Sequence, residues 1–193
     1  MQLERVTTFI LDKLRHELTA SFSYHNVDHT QDVMHAVKEI GSQEHITENE
    51  LQLLSTAALF HDTGFLISAK NHELHSCHMA RKYLPHYSYS EQDISQISDL
   101  IMATKVPQQP KNHLEEIICD ADLDYLGRTD FFEISEKLYR EMLALGTVSS
   151  HQEYMQLQLE FLSNHRYFSN TAKALRNKLK EGNLTKLKTN SES

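Results

Sequence analysis

The chain has 193 residues, a formal net charge of −8 and 24% charged residues, with five Gly, three Pro and two Cys. That length is most economically one domain with a real core, and an acidic balance argues against nucleic acid as a main partner. So few Gly and Pro favour long helices over many short strands, and two cysteines, Cys77 and Cys119, both in apolar-periodic stretches, read as reduced core thiols of a cytoplasmic protein. Nothing approaches a membrane span, and Met1-Gln2-Leu3-Glu4-Arg5 lacks a signal peptide's apolar core. From Arg166 onward there are seven basic and two acidic residues, so this end is net +5 and the remainder −13. Such a basic end could touch phosphate or membrane lipid, and a solvated terminal helix is the reading favoured over that.

Leu3, Val6, Phe9, Ile10, Leu14 and Leu18 recur at helical spacing and predict a helix over about 3–19. A polar loop with Tyr24-His25-Asn26 follows. The next helix starts near Asp28 or His29, and its stripe (His29, Val33, Ala36, Val37, Ile40) places His29 at the end of a buried face. Thr47 and Glu50 form a capping box for a helix to about Asp62. There Leu51, Leu54, Ala58 and His61 share a face, so the spacing that buries the leucines also turns His61 inward. Gly64 is expected to end that helix. A helix over about 71–84 stops before Pro85, and Ser90 with Asp93 starts another, with Ile94, Ile97 and Ile101 buried.

Beyond a loop with Pro107 and Pro110, Leu114, Ile118, Asp122 and Leu126 recur four apart. That register selects Asp122 from Asp120, Asp122 and Asp124 as the inward acid. Helices are predicted over about 130–145, over 150–168 with a capping box from Ser150 to Glu153, and over 170–180. The expectation is an all-α domain of seven or eight helices over 1–182 and a polar, disordered tail over 183–193.

Periodicity thus converges His29, His61, Asp62 and Asp122. Two imidazoles and two carboxylates suit a first-row divalent ion and leave positions open for water, as catalytic sites do. Which of Mn, Fe, Ni, Co, Zn or Mg it takes is left open, with one site expected and a second ion an option through Asp62. His75 and His78 beside Cys77 are read as packing.

In order, His29, His61-Asp62 and Asp122 resemble the ligands of the HD-domain superfamily of metal-dependent phosphohydrolases. The resemblance covers about 22–128. Within it, Tyr24-His25-Asn26-Val27-Asp28-His29 is similar to the metal-site opening of the cyclic nucleotide phosphodiesterases, one branch of that superfamily. Asn71-His72-Glu73 with Ala80 and Leu84 looks like the helix that follows the His-Asp pair in many members.

The resemblance implies a helical bundle and a hydrolase of phosphate mono- or diesters. Its substrate would be a nucleotide or another small phosphorylated molecule, a cyclic nucleotide being one option. His25 would be the general acid, and Asp62 a catalytic carboxylate as well as a ligand. His72 and Glu73 would reach a second metal, its waters or the substrate. The chain departs from six-ligand members near Ala103-Thr104-Lys105, where Thr and Lys stand in place of a histidine. Lys105 and Arg128 are candidates to meet a substrate phosphate, and Gln152, Gln156 and Gln158 are candidates by type for a substrate-clamping glutamine. The rival readings are a di-iron oxygenase on the same scaffold, which needs more histidine ligands, and a non-catalytic nucleotide-binding module. No nucleic-acid or membrane partner is expected, and a homodimer is left open.

Overall fold

In a computed structural model of the chain, residues 1–191 are described, with side chains through Thr189. The helices are α1 (Leu3–Glu17), α2 (Val27–Gly41), α3 (Glu48–Phe60), α4 (His72–Tyr83), α5 (Glu91–Ala103), α6 (His113–Asp122), α7 (Phe131–Ala144), α8 (His151–Asn164) and α9 (Asn170–Ser191). Short 3-10 turns cover Thr63–Leu66, Leu84–Tyr87 and Asp124–Gly127. There is no strand among the described residues, so the all-α expectation holds, with nine helices where seven or eight were expected. No helix among them is long and apolar enough to cross a membrane.

Local chemistry sets the helix starts. Thr47 and Glu50 form a reciprocal capping box, and Ser90 with Asp93 forms another, so the shorter aspartate suffices. At α8 the Ser150 hydroxyl accepts from Glu153 N, but the Glu153 carboxylate accepts from Ser149 N instead of Ser150 N. The expected box is therefore half made. Ser150 is more extended (φ −154°) than Thr47 (φ −73°), which carries its own N–H out of reach.

The second half of α3 is buried on every face, from Leu53 through Phe60. Small residues (Ser55, Thr56, Ala57, Ala58) let α1, α2, α4, α5 and α6 all pack on it. This is the main core, with Ile10, Ile40, Leu54, Phe60, Ile97, Ile101, Ile117 and Ile118 fully buried. Burying each such side chain contributes about 1.5–3 kcal/mol. A second cluster joins Tyr24, Leu123, Tyr125, Leu126, Phe131, Leu162 and Leu187.

Three expectations need correction. Gly64 does not end α3, which stops at Phe60; it lies in the 3-10 turn, where a Cβ would stand 1.9 Å from the His72 carbonyl oxygen. It is glycine because the start of α4 crosses so close. The helix expected to reach Phe168 ends at Asn164, because the buried Asp120 carboxylate accepts from Phe168 N (2.8 Å) and Ser169 N (2.7 Å) and holds the connection extended. Lastly, 183–191 is helical where a disordered tail was expected. Asn183 Nδ2 donates to the carbonyls of Leu126 (3.1 Å) and Arg128 (2.9 Å), and Leu187 is buried. Glu192 and Ser193 lie outside the described residues.

Candidate active site

His29 comes from the first turn of α2, where the Asn26 side chain caps the helix by accepting from Asp28 N and His29 N. His61 follows the last residue of α3, Asp62 precedes the 3-10 turn, and Asp122 is the last residue of α6. The turn carrying the pair is tied to α4 through Ser76, whose hydroxyl donates to His61 O (2.6 Å) and accepts from Gly64 N (2.8 Å).

These elements bring the four predicted side chains together. His29 Nε2 and His61 Nε2 are 3.3 Å apart. Asp122 Oδ1 lies 3.4 Å from each, and Asp62 Oδ2 lies 3.4 Å from His29 Nε2 and 3.1 Å from His61 Nε2. His61 Nδ1 sits 2.8 Å from the Ala58 carbonyl, an acceptor only. Nδ1 therefore carries a proton, and in the neutral ring the Nε2 lone pair faces the cluster. Asp62 Oδ2 is buried with no hydrogen-bond partner among the described residues. Ligand atoms of His29, His61 and Asp122 all fall within 4.8 Å of one another.

Burial opposes charge on His61, Asp62 and Asp122, yet the opposite charges outweigh it. His61 is held well above its ordinary value by Asp62 and Asp122. Asp122 is brought down to about 2 by its hydrogen bonds with His29 and His61. Asp62 is lowered further, chiefly by the charges of His61 and His25. Proton and divalent cation thus compete for the same nitrogen and oxygen atoms. The donor set fits such an ion: two imidazoles, two carboxylates and an orphaned buried oxygen that a cation would satisfy.

Of the neighbouring acids, Asp120 is occupied by Phe168 N and Ser169 N, and burial pushes its carboxyl up to about 6. Asp124 pairs with Arg176 Nε at 2.6 Å. All three acids turn inward, Asp120 and Asp124 more deeply than the helical register suggested, and Asp122 is the one beside His29 and His61.

A cavity of about 450 Å3 opens over the cluster. Its polar lining includes His25, Asp62, His72, Glu73, Asp122 and Gln158, and its apolar part includes Leu126, Leu138 and Met142. His72 Nε2 approaches Asp62 Oδ1 (3.5 Å) and Glu73 Oε1 (3.7 Å). Phe65 packs against both His25 (ring centroids 4.4 Å) and His72 (4.1 Å), so one phenyl ring supports both imidazoles.

Two predicted phosphate contacts are not at this cavity. Lys105 is exposed and lines a different groove, while the buried Thr104 faces the cavity in its place. No imidazole comes from this turn, because its one inward position is a threonine. Arg128 spends its donors on Asp32 (2.7 Å) and Asp130 (2.5 Å), so its guanidinium is committed to acids of this chain. Gln152 and Gln156 line another pocket, on the far side of Gln158.

One residue escaped the sequence reading. Glu141, in α7, is buried and hydrogen-bonds His25 Nδ1. Its signal was present: an acid three residues after Leu138 and four before Leu145 falls on the apolar stripe.

No protein family matches the chain, and no curated protein matches it. Among solved structures it is similar to Bacillus subtilis YpgQ in complex with ADP, with 17% identity, a TM-score of 0.68, and 99% of this chain and 97% of that chain covered. It is also similar to a predicted HD superfamily hydrolase from an uncultured Thermotogales bacterium, with 22% identity, a TM-score of 0.56, and 84% and 96% covered. At these identities the likeness shows the fold: the chain has the all-helical bundle of these two structures, the architecture that the resemblance of its ordered His, His-Asp and Asp set implied.

Proposed function

We propose that the chain is a metal-dependent phosphohydrolase acting on a nucleotide or a comparably small phosphate ester. The observation that carries this reading is the convergence of two imidazole nitrogens and two carboxylates, one of them presenting a buried oxygen with no hydrogen-bond partner among the described residues, at the floor of a ligand-sized cavity. His29, His61, Asp62 and Asp122 would hold the ion. A divalent cation bound there lowers the pKa of a coordinated water and offsets charge on a phosphoryl oxygen.

The chain's own residues supply the rest. His25 lines the same cavity, and its Nδ1 meets Glu141, which leaves Nε2 to protonate a leaving oxygen. Burial opposes the His25 charge, but Asp62 and the Glu141 hydrogen bond raise its pKa above the ordinary 6.5, favouring the protonated acid near neutrality. Asp62 and Glu73 would orient water against the phosphorus, and His72, stacked on Phe65, would bind substrate oxygen or a second ion through Nε2. The nucleotide class is supported by the ADP in YpgQ, which shares this fold. A cyclic nucleotide stays within that class. Of the three glutamines named, Gln158 is the one that lines the cavity.

The test is a panel of nucleoside mono-, di- and triphosphates, cyclic nucleotides and generic phosphodiesters, assayed with each of Mn, Fe, Co, Ni, Zn and Mg. The reading expects metal-dependent phosphate release or ester cleavage from at least one member. Turnover that survives complete chelation, or none with any ion, contradicts it.

A further inference from the structure

Little holds the Asp122 side chain itself. Apart from His29 and His61, its carboxylate meets one donor among the described residues, Gln108 Nε2 at 3.4 Å. Its direction is therefore set by the main chain, and there α6 stops. Asp122 is the last helical residue, and Leu123 (φ −106°, ψ 18°) bends the chain into the 3-10 turn Asp124–Gly127. Such a turn has poorer hydrogen bonds than an α-helix and holds its own shape less firmly.

Support comes from far along the chain. Tyr167 Oη lies 3.2 Å from Leu123 O and 3.3 Å from Asp124 O, so its one proton is shared by the carbonyls of the two residues that follow Asp122. Arg176 Nε donates to Asp124 Oδ1 (2.6 Å), and its Nη2 donates to Glu39 (2.5 Å) of α2, the helix that carries His29. One guanidinium thus ties the turn after one metal-facing residue to the helix bearing another. α9 sits so close here that a Cβ at Gly127 would stand 2.5 Å from the Arg176 carbonyl oxygen. The Tyr167 ring has supports of its own. It is buried, packed edge-on against His165 (ring centroids 4.7 Å), with the Lys180 ammonium 5.4 Å from its centroid. Asp120 works in the other direction: it accepts from Phe168 N and Ser169 N and shapes the connection that carries Tyr167.

We infer that Tyr167 and Arg176 are positioning residues for the metal site: they fix the turn after Asp122 against α2, and so aim the Asp122 carboxylate at the point where the His29 and His61 nitrogens meet. A functional side chain has to be held within about 0.5 Å of its productive place by groups that do not themselves touch the ligand. Here those groups lie outside the stretch that contains every proposed ligand, on the connection to α9 and on α9 itself. The inference rests on the reading that His29, His61, Asp62 and Asp122 hold a divalent ion.

Co(II) alone is the probe. The full, metal-free chain is titrated with it well below the thermal midpoint, and both the affinity and the visible absorption of the bound ion are followed. Tyr167→Phe keeps the packed ring and removes the hydroxyl. It should weaken Co(II) binding about tenfold and change the absorption of the saturated complex. Arg176→Lys keeps the charge but offers one nitrogen in place of the fork that spans Asp124 and Glu39. It should move both readouts in the same direction, and it carries the test alone should Tyr167→Phe not fold. Tyr89→Phe is the control. It removes a buried hydroxyl bonded to Thr56 Oγ1 (2.8 Å) in the main core, and should leave affinity and spectrum at their wild-type values. A merely structural role would lower the melting temperature of both tyrosine variants and move neither Co(II) readout. A folded Tyr167→Phe or Arg176→Lys chain with wild-type affinity and spectrum overturns the inference, as does a Tyr89→Phe chain that shifts them as much. In those cases the wild type still binds Co(II) and the metal reading stands, whereas a wild type that takes up no Co(II) overturns the two together.

Discussion

Glu141 holds His25 and its neighbour Tyr24 with three hydrogen bonds. One carboxylate oxygen meets the imidazole Nδ1, and the other accepts from Tyr24 N (2.8 Å) and His25 N (2.9 Å). A buried acid from α7 therefore fixes both the ring and the backbone of the loop that leads into His29. Charge-assisted bonds of this kind are about twice as strong as neutral ones. Burial raises the Glu141 pKa, but the His25 hydrogen bond and charge lower it further, so it stays ionised.

This clamp predicts a pH effect. If protonated His25 is the acid, kcat falls as pH rises through its raised pKa. Glu141→Gln removes the carboxylate that helps to raise it, so the basic limb of the kcat profile should move to lower pH, with kcat down about tenfold. A limb that stays in place would remove His25 from the acid role. The pair also ties stability to pH. The His25 contribution is full below its ordinary 6.5 and fades as pH climbs through the raised folded value. The Glu141 contribution is full above its ordinary 4.5 and fades as pH falls through the lowered one. Denaturation of the wild type across pH should show a plateau between these limits, which Glu141→Gln flattens.

Asp120 and Asp122, two residues apart, should separate stability from metal binding. Asp120→Ala leaves Phe168 N and Ser169 N without their acceptor, at a cost of about 1–3 kcal/mol, while metal content is retained. Asp122→Asn removes a carboxylate whose ionised form His29 and His61 stabilise, so it should lower the melting temperature of the metal-free chain near neutral pH and, unlike Asp120→Ala, lose metal affinity. Calorimetry on chelated protein, paired with metal titration, distinguishes them.

Gly64→Ala should be severe for a steric reason. The added Cβ would stand 1.9 Å from His72 O and 2.9 Å from His75 Cβ, so the turn carrying His61-Asp62 must shift from α4. A loss of about 3 kcal/mol or more is expected from overpacking of this sort. A thermal midpoint equal to wild type would mean that α4 does not sit this close.

Removing residues 183–193 should destabilise the chain, because Asn183 and Leu187 are built into the second cluster. Asn183→Ala alone should cost about 1–3 kcal/mol, since it leaves the Leu126 and Arg128 carbonyls without that donor. Urea unfolding of the two variants would show it, and a truncation as stable as the full chain would contradict the helix.

Much of this arrangement was legible because helical periodicity is local. The registers of His29 with Val33 and Val37 and of His61 with Leu54 and Ala58 aim inward as the structure has them, whereas the register of Asp122 with Ile118 did not separate it from Asp120 and Asp124, which are the more buried. The capping boxes at Thr47 and Ser90 were equally readable. What escaped depends on long-range packing. Glu141 meets His25 across 116 residues, and Arg128 is taken by Asp32 across 96, pairings that no local pattern encodes. The turn at Thr104-Lys105 presents its threonine to the cavity because the loop's direction, not its composition, decides which neighbour faces in. The end of α9 reads as polar surface, yet its asparagine is buried by satisfying carbonyls left over by another element.

The central claim is that His29, His61, Asp62 and Asp122 hold a divalent ion, and bound metal per chain measures it most directly. Wild-type protein loaded with metal and freed of excess should retain about one ion per chain, or two if Asp62, His72 and Glu73 take a second. His61→Ala, folded by circular dichroism, should retain essentially none. Wild-type protein that holds no ion, or a His61→Ala variant that holds as much as wild type, would contradict the account.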